Sequence, residues 1–389
     1  MKKKICFFMN TPFSLGGEQR VTTNLANYLT KYYDVCFLLT DKNKFIDYKK
    51  YNLDSSIKIS FCNNSKYSFI KEKIIQVFDP FFYKFNCFNN CIKILNIKYF
   101  NNTNKKNLIK TIKRENYDYI IGVGSNYFSM LALIKNDIGN TKIISWEHST
   151  YKSYFETKNH RLYNQKKLIK LVFSNSYKYI VQTSSDYDNI KSKYNYEPII
   201  ISNPNTFKSY TIKNNISYNA MCAGRFDKVK NFDKIIMAFS QSIKKNPKLK
   251  LYMLGNGKEL NNCKALVKKL NIEKNVEFTG EVNNITDYYK KCSIYLMASE
   301  WEGWGMVITE AMQCGLPIIS FDMPVLNDIF KGLEYDYIIE RDNLAEYSDA
   351  IIKLLNNEKE YLNLSKKILE ISKNFDIELI GKKWKEVLK

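Results

Sequence analysis

The chain has 389 residues, enough for two domains of ordinary size, and 45% of them are hydrophobic, so a globular protein with a sizeable core is expected. Lys and Arg number 60 against 39 Asp and Glu, a formal net charge of +21. Such a balance suits three partners: nucleic acid, an anionic membrane surface or a phosphorylated substrate. A membrane span is not expected, because no stretch approaches ~18 uncharged apolar residues.

The first ten residues, MKKKICFFMN, predict a β-strand rather than a signal peptide. Their apolar run, Ile5 to Met9, is shorter than the ~7–15 residues of a signal core, and no small-residue cleavage site follows. A helix is expected after the Gly-Gly pair that comes next, because the apolar residues behind it recur on one helical face. These residues are Val21, Leu25, Tyr28, Leu29 and Tyr32.

Strand-like and helix-like segments then alternate, which predicts α/β layers around parallel sheets. The strand segments show little alternation, as is typical of strands covered on both faces. In the first half they span 33–40, 57–63, 117–124, 142–148, 178–183 and 198–204. In the second half they span 218–226, 250–257, 276–282, 293–299, 317–322 and 336–340.

The polar, turn-rich segment 203–217 between these halves predicts a linker. We therefore expect two Rossmann-like domains, 1–205 and 206–370, and a charged helix at 371–389. Ligands of such sheets bind beyond the carboxyl ends of the strands. A site is accordingly expected in a cleft where the two domains face each other.

The nine cysteines form no disulfide framework. Cys6, Cys36 and Cys222 lie in strand-like runs, where buried thiols are the usual explanation. Cys87 and Cys91 are close together, but no second Cys or His pair completes a zinc site. No metal is expected.

Two loops that follow strands carry residues suited to phosphate. Gly16 and Gly17 allow close approach of the backbone and supply amide donors at a helix N-terminus, although half of such pairs are only tight turns. Arg225 and Lys230 follow the first strand of the second half, and a forked guanidinium beside a point charge suits a diphosphate. The alternative is two solvated cations in a Lys-rich chain.

The segment SEWEGWGMVITEAMQCGLP (299–317) combines two acids with a glycine-rich helix start. Glu302 precedes the helix and Glu310 lies more than one turn inside it, so their backbones are separated by roughly 8–12 Å. One helix end does not easily place both carboxyls on one reacting bond. The spacing favours carboxylates that bind different hydroxyls of one extended ligand over a catalytic acid–base pair.

Together, GGEQR (16–20), GRFDKVKN (224–231) and EGWGMVITEAMQCGLP (302–317) resemble the GT-B glycosyltransferases of family 4, the retaining type. The family signature, E-x7-E, is met by Glu302 and Glu310. NP at 203–204 and TGEV at 279–282 are also in register. The resemblance implies a first domain that binds the acceptor, a second that binds a nucleotide sugar, and a last helix that returns to the first domain.

Carried over position by position, the resemblance implies that Glu310 hydrogen-bonds the ribose and Glu302 contacts the transferred sugar. Arg225 and Lys230 neutralise the diphosphate. His148, at a strand end in SWEHST, matches a histidine of many relatives and would position the sugar or acceptor, whereas without the resemblance a core or capping histidine is the commoner explanation. The further donor-binding positions are Gly16, Gly17, Val282, Gly303, Trp304, Gly305, Met306 and Val307.

Three departures or competing patterns remain. Trp304 stands where many relatives carry Phe or Leu, which would alter the sugar pocket, and GGEQR replaces the commoner GGAER. Asp186 and Asp188 form a D-x-D, which in another glycosyltransferase fold holds a metal on a diphosphate. Here they open a helix whose N-cap is expected at Ser184 or Ser185, so the capping interpretation is preferred.

The segment 66–113 combines Lys with Phe, Tyr and Ile, as does an interfacial membrane surface, although a helix face packed on the sheet would look the same. Bacterial relatives often dock on the inner membrane through the first domain. The resemblance therefore implies a cytoplasmic protein, peripheral on the inner face of an anionic membrane.

The predicted function is transfer of a sugar from a UDP-linked donor to a lipid-linked or cell-envelope glycan, such as lipopolysaccharide or capsule, with an α-linkage and without metal or cofactor. The implied catalytic residues are His148, Arg225, Lys230 and Glu302. The alternatives are a phosphorylase or nucleotide-sugar epimerase of the same fold, and a basic nucleic-acid binder. The last has no use for Glu302 and Glu310.

Overall fold

The computed structural model describes residues 2–62, 95–96, 99–100, 102–158, 162–207, 213–282 and 284–389. The chain divides into two compact units. Unit 1 comprises Met1–Pro204 and Ile377–Lys389, and unit 2 comprises Asn205–Asp376. The divisions predicted from the sequence lie at 205 and 370.

Unit 1 is built on a parallel sheet. Its strands are β1 Lys4–Met9, β2 Asp34–Leu39, β3 Lys58–Phe61, β4 Tyr119–Val123, β5 Lys142–Trp146, β6 Lys178–Val181 and β7 Ile199–Ile200. Its helices are α1 Gly17–Thr30, α2 Asn102–Glu115, α3 Ser125–Leu133, α4 Lys166–Asn175, α5 Ser184–Tyr194 and, from the end of the chain, α13 Ile377–Val387. The seven strands lie in the order β3-β2-β1-β4-β5-β6-β7.

Unit 2 has a second parallel sheet. Its strands are β8 Asn219–Ala223, β9 Lys250–Leu254, β10 Val276–Gly280, β11 Ile294–Met297, β12 Ile318–Phe321 and β13 Ile338–Ile339. Its helices are α6 Phe232–Lys245, α7 Leu260–Lys269, α8 Ile285–Lys291, α9 Met306–Gln313, α10 Pro324–Ile329, α11 Leu344–Asn356 and α12 Glu358–Ser372. The six strands lie in the order β10-β9-β8-β11-β12-β13, which with unit 1 confirms two Rossmann-like α/β domains.

The strands are buried because helices cover both faces of each parallel sheet. In β1, Ile5 through Met9 are all fully buried, as the unbroken apolar run indicates. The face predicted for α1 is buried at its first four positions but not at its fifth. The prediction was wrong for Tyr32, which is 40% exposed because the helix ends at Thr30, before that turn.

The last helix, α13, packs within unit 1. Its Trp384 ring lies 4.8 Å from the ring of Trp146 at the end of β5. A Cβ atom on Gly381 would lie 2.1 Å from a ring carbon of Tyr28 on α1, so only glycine permits this approach. The helix is therefore part of the structure that supports the carboxyl end of β5.

Several sequence predictions concern residues that the structure does not describe. Residues 63–94 contain Cys87, Cys91 and most of the aromatic part of 66–113, so these lie outside the described residues. Cys6, Cys36 and Cys222 are buried free thiols, as predicted. None of the helices that the structure describes is long and apolar enough to cross a bilayer.

Candidate active site

The order of strands reverses once in each sheet, between β1 and β4 in unit 1 and between β8 and β11 in unit 2. At such a reversal the connections leave in opposite directions and open a crevice at the carboxyl ends of the strands, which is where open α/β sheets bind ligands. Most of the predicted site residues follow β1, β8 or β11 in the sequence, whereas His148 follows β5 and Val282 follows β10.

In unit 2, the loops after β8 and β11 are joined by hydrogen bonds. The amide of Glu300 donates to the carbonyl of Val229 over 2.7 Å, and the side chain of Asn231 donates to the carbonyl of Ala298 over 3.0 Å. The loops are thus held side by side across the reversal point. Lys230 from one loop and Glu302 from the other lie within this contact.

Lys230 and Glu302 form an ion pair with 2.5 Å between Nζ and Oε1, and their side chains are 20% and 13% exposed. The hydroxyl of Ser299 donates to the same carboxylate oxygen over 2.7 Å. The sequence assigned the lysine to a diphosphate and the glutamate to a sugar. The structure brings the two together, so Glu302 already occupies part of the ammonium that a phosphate would approach.

Arg225 has a different environment from Lys230. Its side chain is 80% exposed, and its Nε donates to Asp227 over 2.9 Å. An exposed pair of this kind contributes little to stability. The guanidinium can therefore turn to an incoming anion at little cost, whereas Lys230 is fixed in place.

The start of α9 depends on Gly305. This residue is the N-cap with φ 69°, in the left-handed region, and a Cβ atom there would lie 2.8 Å from the side chain of Ile308. The chain can therefore turn sharply after Gly303 and present the first-turn amides of Met306 and Val307, where a helix end favours anions.

The Trp304 side chain points elsewhere. It is buried, and its ring meets the ring of Phe375 edge to face at a centroid distance of 5.1 Å. The indole thus belongs to the packing of unit 2, and any contact of this residue with a ligand is left to its backbone. Val282, half-buried, follows β10, which the sheet order places two strands away from β8.

Glu310 lies on α9 with no exposed surface. Its Oε1 accepts a hydrogen bond from Thr206 over 2.8 Å, and its Oε2 accepts one from Tyr289 over 3.2 Å. Glu302 is bound by a cation, whereas these contacts of Glu310 are with hydroxyls. Different surroundings fit two separate binding functions better than a matched acid and base.

In unit 1, the β1–α1 turn brings a carboxyl group to the reversal point. Gly16 is the N-cap of α1, and Glu18 lies in its first turn. Glu18 faces the end of β4, since a Cβ atom on Gly124 would lie 3.4 Å from its Oε2. Burial raises the pKa of Glu18 to about 7, so this carboxyl exchanges its proton near neutrality.

His148 follows β5, the strand next to β4. Its ring centroid is 4.2 Å from that of Trp146, and its amide donates to the hydroxyl of Tyr154 over 3.2 Å. Burial lowers the pKa of His148 to about 3, so the ring is neutral at physiological pH. Its Nε2 is buried and has no partner among the described residues, and a neutral ring can offer one hydrogen bond but no charge to a ligand.

The D-x-D motif lies near the start of α5, and its first acid takes part in the hydrogen bonds at that helix start. Thr183, not Ser184 or Ser185, is the N-cap of α5, and its hydroxyl accepts from the amide of Asp186. The Asp186 carboxylate in turn accepts from the amide of Tyr151 over 2.7 Å. The expected N-cap was wrong by one or two positions, because the residue whose side chain caps α5 is Thr183, directly after Gln182.

Comparison with known proteins identifies the family. The family model described as Glycosyl transferases group 1 matches residues 206–370, which are nearly all of unit 2. An uncharacterized glycosyltransferase of Haemophilus influenzae is 30% identical over 394 residues, covering 99% of this chain and 100% of that protein. The chain belongs to the group 1 glycosyltransferases.

Two further proteins are similar to this glycosyltransferase, one in structure and one in sequence. The crystal structure of a mutant of S. aureus TarM in complex with fondaparinux, α-GlcNAc-glycerol and UDP has a TM-score of 0.77 at 15% identity and covers 100% of both chains. This likeness confirms the GT-B fold. A Campylobacter jejuni enzyme, N-acetylgalactosamine-N,N'-diacetylbacillosaminyl-diphospho-undecaprenol 4-alpha-N-acetylgalactosaminyltransferase, is 30% identical over 140 residues, 36% of this chain and 38% of that protein.

Three polar residues of the glycosyltransferase escaped the sequence analysis. The first is Glu18, the third residue of GGEQR, where only the departure from GGAER signals it. The second is Glu147, which is fully buried and accepts a hydrogen bond from Tyr179. Burial and the nearby carboxylate of Asp186 raise the pKa of Glu147 well above its usual range. The third is Thr206, in the segment predicted as a linker.

Glu18→Gln should stabilise the glycosyltransferase at high pH. Since the folded-state pKa of Glu18 is about 7, above the ordinary ~4.5, its burial is free of cost at low pH and destabilises as pH rises through that interval. Discounted for partial exposure, the variant should gain about 1–2 kcal/mol at pH 8.5 and about a quarter of that at pH 5. Thermal melting at both pH values measures this. The exposed carboxyl Asp188 provides the control, and an equal gain in Asp188→Asn, or the same gain at both pH values, would contradict the assignment.

Proposed function

We propose that this glycosyltransferase is a retaining enzyme of family 4. It transfers a sugar from a UDP-linked donor to a lipid-linked or cell-envelope glycan and forms an α-linkage without a metal. The observation that carries the proposal is the pairing of Lys230 with Glu302 across the reversal point of unit 2, beside the helix that carries Glu310. The UDP in the TarM complex and the undecaprenol-linked name of the C. jejuni relative support the substrate classes.

Donor binding in this proposal exchanges one partner of Lys230 for another. The diphosphate carries more charge than a carboxylate, so it draws the Lys230 ammonium away from Glu302. Glu302 then has a free carboxylate oxygen, which accepts hydrogen bonds from hydroxyls of the sugar. Arg225, being exposed, turns from Asp227 towards the same diphosphate, while Glu310 receives the ribose.

The transfer step follows from the same charges. The bond between C1 of the sugar and the β-phosphate oxygen breaks, and a bond from C1 to the acceptor oxygen forms on the same face. The acceptor proton passes to the departing phosphate oxygen, and UDP leaves. Lys230 and Arg225 stabilise the charge that develops on the phosphate, and neutral His148 positions the sugar or acceptor by one hydrogen bond.

We also propose that unit 1 binds the acceptor on an anionic membrane surface at the cytoplasmic face. The net charge of +21 supports this, because each basic residue near such a surface contributes about 1 kcal/mol. The protein should sediment with vesicles that contain phosphatidylglycerol and stay in solution with phosphatidylcholine alone. Equal behaviour with both kinds of vesicle would remove the membrane from the proposal.

A thermal-shift screen of nucleotide sugars tests the donor assignment. At 100 times its dissociation constant, the correct donor should raise the melting temperature by about 5 °C or more. Glu310→Gln should abolish most of this shift, because an amide has one acceptor oxygen and no charge, whereas the carboxylate has two acceptor oxygens and a negative charge. The matched control is Glu334→Gln, an exposed position. No shift with any nucleotide sugar would reject the donor, and an undiminished shift in Glu310→Gln would reject the ribose contact.

UDP release that requires an added acceptor would separate transfer from phosphorolysis or epimerisation.

Lys230→Gln tests the diphosphate contact separately from the nucleoside contact. UDP should bind at least about tenfold more weakly, since a charge-assisted hydrogen bond is lost, while uridine, which has no phosphate, should bind as before. Calorimetric titration of both ligands gives the ratio. Lys228 lies on the same short turn with an exposed side chain, so Lys228→Gln should bind both ligands like the wild type. Equal losses for UDP and uridine in Lys230→Gln would show a general structural defect instead.

A further inference from the structure

The carboxylate of Glu310 is closed off by the protein itself. The residue has no exposed surface, and Thr206 and Tyr289 each donate a hydrogen bond to a different carboxylate oxygen, at 2.8 Å and 3.2 Å. A ribose hydroxyl that binds this carboxylate must therefore first gain access to it. One of the groups that cover Glu310 has to move.

Tyr289 is firmly held. It is fully buried on α8, and its hydroxyl also lies 3.4 Å from the carbonyl of Val307 on α9. The ammonium of Lys213 caps the end of α8 by donating to the carbonyls of Tyr289 and Lys290, at 2.9 Å and 2.6 Å. The backbone of Tyr289 is thus held, and moving its hydroxyl would require the fully buried ring to repack and would break the contact with α9.

Thr206 is placed where it can move. It is only half-buried and belongs to an irregular stretch that forms neither helix nor strand. Its neighbour Asn205 is anchored, because the Asn205 amide donates to the carbonyl of Phe375 over 2.7 Å and its side chain donates to the carbonyl of Ser372 over 2.8 Å. A rotation about the Thr206 side chain would break its hydrogen bond to Oε1 of Glu310 without disturbing the contacts of Asn205.

We propose that Thr206 is a latch on the nucleotide site. Its hydroxyl occupies the position on Glu310 that a ribose hydroxyl takes, and binding of the nucleotide displaces it, while Tyr289 is a positioning residue that keeps the carboxylate aimed. This inference rests on the proposed function, since it takes the ribose as the ligand of Glu310. One O–H donor replaces another on the same oxygen, and no proton is transferred.

The latch predicts opposite effects for the two hydroxyls. Thr206→Val keeps the shape but removes the donor, which destabilises the free carboxylate and leaves the bound state unchanged, so UDP should bind about five- to tenfold more tightly. Thr206→Ser keeps the hydroxyl and should bind like the wild type. Tyr289→Phe should bind UDP about five- to tenfold more weakly, because the carboxylate loses its fixed partner. Isothermal titration calorimetry with UDP measures all three.

Deoxynucleotides show whether the effect passes through the ribose. The gain of Thr206→Val should disappear for either 2′-deoxy-UDP or 3′-deoxy-UDP, whichever lacks the hydroxyl that takes the place of Thr206. Weaker or unchanged UDP binding by Thr206→Val, or a gain that both deoxynucleotides retain, would overturn the latch while wild-type binding still supports the donor. Failure of the wild type to bind UDP, GDP or ADP would overturn the donor assignment and the latch together. Melting curves confirm that each variant is folded, and the valine and serine variants decide the question if Tyr289→Phe is not.

Discussion

The proposed donor site of this glycosyltransferase depends on the ion pair between Lys230 and Glu302. It joins the loops after β8 and β11, the two strands at which the sheet of unit 2 reverses its order. Taking two charges largely out of water costs several kcal/mol for each ion, and removing one partner strands the other. The added hydrogen bond from Ser299 reduces that cost. The same electrostatic demand leaves Lys230 ready for a ligand that offers more negative charge than a carboxylate.

The carboxyl groups of the molecule meet the cost of burial in different ways, and the difference separates binding from structure. Burial in the core raises the pKa of Glu147 well above its usual range, and its carboxyl accepts a hydrogen bond from the buried Tyr179. Glu302 is paired with a cation and Glu310 with hydroxyls. In the proposed function, a ribose hydroxyl resembles the hydroxyl partners of Glu310, whereas the diphosphate resembles the carboxylate of Glu302 as a partner for Lys230. Glu18 lies between the two cases, with a pKa of about 7 at the reversal point of unit 1.

The fold could be predicted from local patterns because the strands are unbroken apolar runs and parallel sheets bury both faces. The sequence positions of the predicted site residues, directly after apolar strand segments, also indicated that they lie at strand ends. What the sequence could not provide were contacts between distant residues. Lys230 and Glu302 are 72 positions apart, and Thr206 and Glu310 are 104 apart. Thr206 looked like part of a polar spacer, and only the packing of unit 2 reveals its contact. The direction of Trp304 escaped prediction because Gly305 turns the chain.

The position of Thr206 links ligand exchange to the ends of unit 2. Asn205, its neighbour and the first residue of the unit, holds the stretch that includes Ser372 and Phe375, just before the chain leaves the unit at Asp376. Phe375 packs against Trp304 in the loop that carries Glu302. A restraint on this stretch that favours the hydrogen bond between Thr206 and Glu310 must weaken nucleotide binding. Because coupling between binding free energies is reciprocal, the nucleotide must weaken that restraint by the same factor. In the proposed latch, the segments through which the chain enters and leaves unit 2 are therefore coupled to nucleotide binding, although neither contains a residue of the E-x7-E signature.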